Sequence, residues 1–142
     1  MNRRTASMLI AQSNPQIGTW KLNLVKSKYP PVRSLTLNIR QDGQNMIDTV
    51  ELIDIQGNTS TGVVMHVYDG LPHPATVSPD YDATVLTRVD ANTLIFNRLK
   101  AGRLIQVGTF VVSQDGKTLT IASTGLDGKG QPLNTIAIFD KQ

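Results

Sequence analysis

Along most of this chain apolar and polar residues alternate, and the alternation restarts after each short cluster of Gly, Asn and Asp. Leu35, Leu37 and Ile39, for example, share one face against Thr36, Asn38 and Arg40 on the other. A period of two is the signature of a half-buried β-strand. The same pattern predicts strands over residues 17–25, 34–41, 45–54, 59–68, 83–89, 93–99, 103–113, 117–124 and 132–140. Residues 71–82 break the rhythm with Pro72, Pro74 and Pro79, and only 73–77 can form a short strand there. Proline is confined to edges, strand starts and bulges, so this segment belongs to a rim or an irregular wall. No segment carries a helical period.

The punctuation between strands has a mechanism of its own. Asp42-Gly43, Gln56-Gly57-Asn58, Asp69-Gly70, Asp90-Ala91-Asn92, Lys100-Ala101-Gly102, Asp115-Gly116 and Asp127-Gly128 supply residues that tolerate positive φ. Tight hairpin loops need that conformation. Strands joined by hairpins with no helix between them form an up-and-down antiparallel meander. A meander of about eight to ten strands curls and hides its edges by closing into a barrel. The predicted class is therefore all-β, a closed antiparallel barrel over residues 14–142 preceded by a flexible tail over 1–13.

The alternation also proposes which side chains face inward. Trp20, Leu22 and Leu24 share a face, as do Val64, His66 and Tyr68, and as do Leu94, Phe96 and Arg98. Met46, Val50 and Leu52 share theirs with Asp48, whereas Glu51 falls on the opposite side. An inward carboxylate needs a partner, and Arg88, Arg98 or Arg103 could supply one.

Composition narrows the function classes. The 142 residues suffice for a core without metal or disulfide, and the 39% hydrophobic and 18% charged content is that of a globular domain. The net charge of +3 is scattered, and aromatics are only 5%, so the basic stripe with stacking platforms of a nucleic-acid binder is absent. Cysteine is absent too, which removes a thiol nucleophile and any Cys-based metal site. Arg3 and Arg4 precede the short apolar run Ala6-Ser7-Met8-Leu9-Ile10-Ala11, the outline of a decayed export signal, and this leans the domain toward an exported origin. No stretch approaches the ~18 apolar residues of a membrane-spanning helix.

At Gly18-Thr19-Trp20 the first strand resembles the Gly-x-Trp opening of lipocalins and fatty-acid-binding proteins, the calycin group. The wider text is more specific. Gly18-Thr19-Trp20-Lys21-Leu22-Asn23, Lys26-Ser27-Lys28-Tyr29, Ser113-Gln114-Asp115-Gly116-Lys117-Thr118-Leu119-Thr120 and Gly128-Lys129-Gly130-Gln131-Pro132 resemble small bacterial lipocalin-like proteins of unassigned function. The resemblance spans residues 14–142 and implies a calycin-type barrel with a small apolar ligand inside, Gly18 and Trp20 being structural. Three departures stand out. Lipocalins pack an Arg of the last strand on the motif Trp, but residues 132–142 hold no Arg, so such a cation would come from elsewhere, for example Arg88, Arg98 or Arg103. Fatty-acid-binding proteins carry two helices after the first strand, and residues 26–33 are too few for them. Similar bacterial sequences have Tyr-Pro after an Asp-Gly-Lys turn, where this chain has His73-Pro74 after Asp69-Gly70-Leu71.

The expected activity is binding of a small hydrophobic or amphipathic molecule inside the barrel. Val64, His66, Tyr68, Phe96 and Arg98 would form the cavity, with His73 and Tyr81 near its mouth. An interior Arg is the simplest grip for a ligand carboxylate. The alternative is a small hydrolase, isomerase or cyclase with His66 as acid/base and Tyr68 or Arg98 stabilising negative charge. His66 and His73 with Asp48, Glu51 or Asp80 match no metal-ligand spacing, and no cofactor is implied. Gly125 to Gly130 joins two strands and precedes no helix, so it is a hairpin and not a phosphate loop.

Overall fold

Each alternating run becomes a strand, and each Gly/Asn/Asp cluster turns the chain back on itself. The computed structural model describes residues 14–43 and 45–142, so the expectations for residues 1–13 lie outside the described residues. The strands are β1 (Gly18–Leu22), β2 (Ser34–Asp42), β3 (Asn45–Ile53), β4 (Thr59–Met65), β5 (Pro72–Pro74), β6 (Ala83–Asp90), β7 (Thr93–Lys100), β8 (Arg103–Val112), β9 (Thr118–Leu126) and β10 (Pro132–Lys141). Among the described residues there is no helix. The ten strands of the described residues form a single sheet in the order β4-β3-β2-β1-β10-β9-β8-β7-β6-β5, antiparallel throughout.

The two outer strands of that order meet. Val64 on β4 bridges Ala75, just past β5, and the Thr76 amide donates to the Val63 carbonyl at 3.0 Å. Gly62 permits this approach, because a Cβ there would collide with the Thr76 carbonyl oxygen. The proline-rich segment therefore acts as an irregular wall that almost closes the barrel. Edges left open would present unpaired backbone groups.

One end of the barrel is packed solid. Trp20, Ile39, Leu94, Val112, Leu119 and Phe139 are all essentially inaccessible there. Residues preceding β1 cap them: the Trp20 indole Nε1 donates to the Gln16 carbonyl at 3.0 Å, and Gln16 Nε2 donates to the Ala91 carbonyl at 3.2 Å. The cation on the motif tryptophan is Lys141 of the last strand, whose Nζ lies 5.4 Å from the ring centre. None of the expected arginines fills that place. Lys141 does because it is the register partner of Trp20 across β1 and β10.

Two local expectations change. Leu24, expected inward, is 48% exposed. β1 ends at Leu22 because Ser27 Oγ donates to the Asn23 carbonyl at 2.7 Å, and the Lys26 amide donates to Asn23 Oδ1 at 3.2 Å. These bonds turn the chain outward. In the last hairpin Gly130 takes positive φ, not Gly128, because Asp127 Oδ1 accepts from the Lys129 and Gln131 amides and sets a longer loop.

Candidate functional site

Toward the open end the inward side chains leave a cavity of about 200 Å³. Its wall is largely apolar, with Leu35, Leu37, Val50, Leu86, Phe96 and Phe110 in prominent positions. Tyr29, Val77, Ser78, Asp80 and Leu133, from connectors and the start of β10, line its outer part. The volume lies below the roughly 300–1,000 Å³ of drug-sized ligand pockets. A compact ligand fits it best.

Arg98 is the only positively charged group lining the cavity among the described residues. The inward phase of β7 places it above Phe96, and its guanidinium carbon sits 4.3 Å from the Phe96 ring centre and 4.6 Å from that of Tyr81. Gly108 makes room for this stack, since a Cβ there would strike the Phe96 ring and the Ala122 carbonyl. Arg98 Nη1 donates to Gln106 Oε1 at 3.1 Å and to Ser123 Oγ at 3.0 Å. Gln106 is held in turn by its Nε2 donating to the Leu126 carbonyl at 2.9 Å. Among the described residues no carboxylate lies within ion-pair distance of Arg98. The cation is aimed and braced, but not neutralised.

A second polar group sits across the barrel, on β3 and the extension of β4. Asp48 and His66 are buried, at 6% and 3% exposure, and both line the cavity. The His66 amide bonds the Met46 carbonyl at 2.8 Å, which continues the β3–β4 pairing past Met65 and keeps the side chain in the inward phase. Its ring packs 5.2 Å from both Tyr68 and Phe110. Asp48 Oδ1 and His66 Nε2 have no hydrogen-bond partner among the described residues, and neither has Thr84 Oγ1 beside Arg98. Burial pushes the Asp48 carboxyl up to about 7 and the His66 imidazole down to about 3. Burial also raises the phenols of Tyr81 and Tyr29, whereas Arg98 acts to lower both.

Of the residues singled out in the sequence, Val64, His66, Phe96, Arg98 and Tyr81 come together around the cavity. Tyr68 and His73 do not line it. Tyr68 lies toward the packed end, its ring 5.7 Å from the Arg88 guanidinium and its hydroxyl accepting from Asn14 Nδ2 at 3.5 Å. His73 is the register partner of Thr84 but stays half-exposed outside the cavity wall, its Nε2 2.8 Å from the Asp69 carboxylate. Asp48 faces inward as its strand phase requires, but its expected arginine partner is absent: Arg88 bonds the Asp90 and Ala91 carbonyls, Arg98 lies on the other pole, and Arg103 is exposed. Glu51 is exposed. Among the described residues no three of His, Asp and Glu cluster as metal ligands would. Gln106, Ser123 and Thr84 were missed, although each is a polar residue in phase with buried apolar neighbours such as Phe110, Leu119 and Leu86.

No family model matches the chain, and no curated protein matches it in sequence. Among solved structures the chain is similar to zebrafish ileal bile acid-binding protein complexed with cholic acid. The two share 13% identity with a TM-score of 0.53, over 90% of this chain and 99% of that one. The likeness is one of fold: a fatty-acid-binding-protein-like calycin barrel.

Proposed function

We propose that the protein binds a small amphipathic anion, with its acidic group on Arg98 and its apolar body against Phe96, Leu86, Leu37 and Phe110. The observation that carries this reading is an interior guanidinium, fixed by Gln106 and Ser123 and stacked between two rings, with no carboxylate to pair with. Arg98 is half-buried, and a partly desolvated charge without a counter-ion is costly; a ligand carboxylate or similar group relieves that cost through charge-assisted hydrogen bonds. Thr84 Oγ1, buried and unpartnered on the neighbouring strand, is a further donor for the same group. The apolar wall supplies most of the affinity, at about 25 cal/mol per Å² buried. The neighbouring fold, solved with cholic acid, agrees with an occupant of this chemical kind; the smaller cavity here favours a smaller one.

Burial speaks against His66 as a general acid/base. A group pushed down to about 3 is a weak base at neutral pH, and efficient proton transfer needs a pKa near the working pH. Native mass spectrometry of gently purified protein tests the binding reading. A discrete excess mass lost on denaturation, and carrying an acidic group, supports it; excess mass from a neutral or cationic compound contradicts it.

A further inference from the structure

We propose that Asp48 and His66 form a second, uncharged subsite at the inner end of the cavity, which hydrogen-bonds a hydroxyl or carbonyl group on the end of the ligand remote from Arg98. The inference rests on the amphipathic-anion reading and extends it to a bifunctional ligand class, such as ω-hydroxy or keto acids.

Three observations carry it. First, Asp48 Oδ1 and His66 Nε2 are both buried, both on cavity-lining residues and both without a partner among the described residues. Orphaned buried polar atoms are uncommon in folded proteins, and a pair converging on one cavity calls for a polar occupant. Second, the two belong together. Asp48 pairs with Val64, and His66 lies two residues beyond Val64 on the same face, so they are diagonal neighbours on adjacent strands. Third, they meet a different stretch of the wall from the cation. His66 packs on Phe110, whereas Arg98 is held by Gln106, four residues back along β8, and among the described residues no hydrogen bond or ion pair joins Arg98 to Asp48 or His66. A ligand that reaches both poles needs an acidic head, an apolar middle and a polar tail.

The chemistry of the pair fits a neutral tail. With its carboxyl pushed up to about 7 by burial, Asp48 is protonated through much of the mildly acidic range and can donate as well as accept. His66, pushed down to about 3, stays neutral and offers one donor and one acceptor nitrogen. A hydroxyl can give to one and take from the other. A second carboxylate would face no cation there.

The test compares octanoate, 8-hydroxyoctanoate and 1-octanol by calorimetric titration on the unmodified protein, Asp48→Leu, Asp48→Asn and His66→Phe. The proposal predicts that 8-hydroxyoctanoate binds about 10-fold more tightly than octanoate, the worth of a buried hydrogen bond of about 1.4 kcal/mol. Asp48→Leu and His66→Phe should erase that preference while leaving octanoate bound, and Asp48→Asn should retain much of it. The His66 ring nitrogen signals should shift with 8-hydroxyoctanoate and not with octanoate. Equal affinities in the unmodified protein, or a preference that survives Asp48→Leu and His66→Phe, overturns the subsite. If 1-octanol binds with the same Asp48 dependence while octanoate does not bind, the subsite stands and the anion reading falls. If none of the three binds, both fall.

Discussion

Lys141 and Trp20 face each other across β1 and β10, with the ammonium 5.4 Å from the indole ring centre. The last strand thereby seals the packed end of the barrel with a cation on the first strand's tryptophan. The aliphatic stem of Lys141 lies over Gly18, where a Cβ would come within 2.8 Å of its Cε, so a side chain at residue 18 would displace it. An exposed cation–π contact of this kind contributes about 0.5–1 kcal/mol. Lys141→Met should therefore lower the unfolding free energy by no more than about 1 kcal/mol. Trp20→Ala, which empties the core beneath it, should cost about 3–5 kcal/mol. Urea unfolding of the two variants checks this order; a larger loss for Lys141→Met would contradict it.

Asp48 and His66 impose opposite pH dependences on stability. Native Asp48 keeps a proton that the unfolded chain releases, so its contribution to stability declines as pH rises from about 4 to 7. Native His66 refuses a proton that the unfolded chain takes up, so its contribution declines as pH falls from 6.5 to about 3. Between about pH 4 and 6.5 the two slopes oppose each other. Relative to the unmodified protein, Asp48→Asn should gain stability as pH rises through that window, and His66→Phe should lose it. Each slope is at most about 1.4 kcal/mol per pH unit. The phenols of Tyr68 and Tyr81 sense the Asp48 charge and are left in place by both substitutions. Urea midpoints at pH 4, 5, 6 and 7 give the answer, and variant curves parallel to the parent would refute the assignment.

The seam of the barrel depends on a missing side chain. Gly62→Ala sets a Cβ against the Thr76 carbonyl, backbone that cannot yield without opening the Val63–Thr76 pairing. The expected cost is about 1–3 kcal/mol. Amide hydrogen exchange at Thr76 should quicken more than at the β2–β3 ladder. Uniform quickening across both would argue against a local seam.

The turn between β7 and β8 carries a small strain. Ala101 is the one described non-glycine residue with positive φ, at 49°, followed by Gly102 at 79°. That two-residue loop is of the type that favours Asn-Gly. Ala101→Asn should raise stability by about 0.5–1 kcal/mol, read as a higher thermal midpoint. An unchanged or lower midpoint would mean that the turn tolerates alanine without penalty.

Most of the barrel was legible because its strands are amphipathic at period two and its turns carry their own chemistry. Leu35, Leu37 and Ile39 went inward as their phase required, and Asp48 went with Met46, Val50 and Leu52. What escaped depends on register, which no single strand carries. Lys141 on Trp20 follows from the β1–β10 pairing, and the Arg98–Gln106–Ser123 brace needs three strands aligned. Tyr68 shares the parity of His66, but the chain beyond Met65 carries it toward the packed end, under Arg88 and Asn14. His73 is held off the cavity by Asp69, a partner four residues away in sequence.

Arg98, braced by Gln106 and Ser123 and without a carboxylate partner among the described residues, is the proposed grip for an anionic ligand inside the barrel. Calorimetric titration of octanoate against the unmodified protein and Arg98→Met tests it most directly. Saturable binding with a stoichiometry of about one is expected, weakened about 10- to 100-fold by the substitution, the worth of a charged hydrogen bond. Octanoate affinity unchanged in Arg98→Met would contradict it.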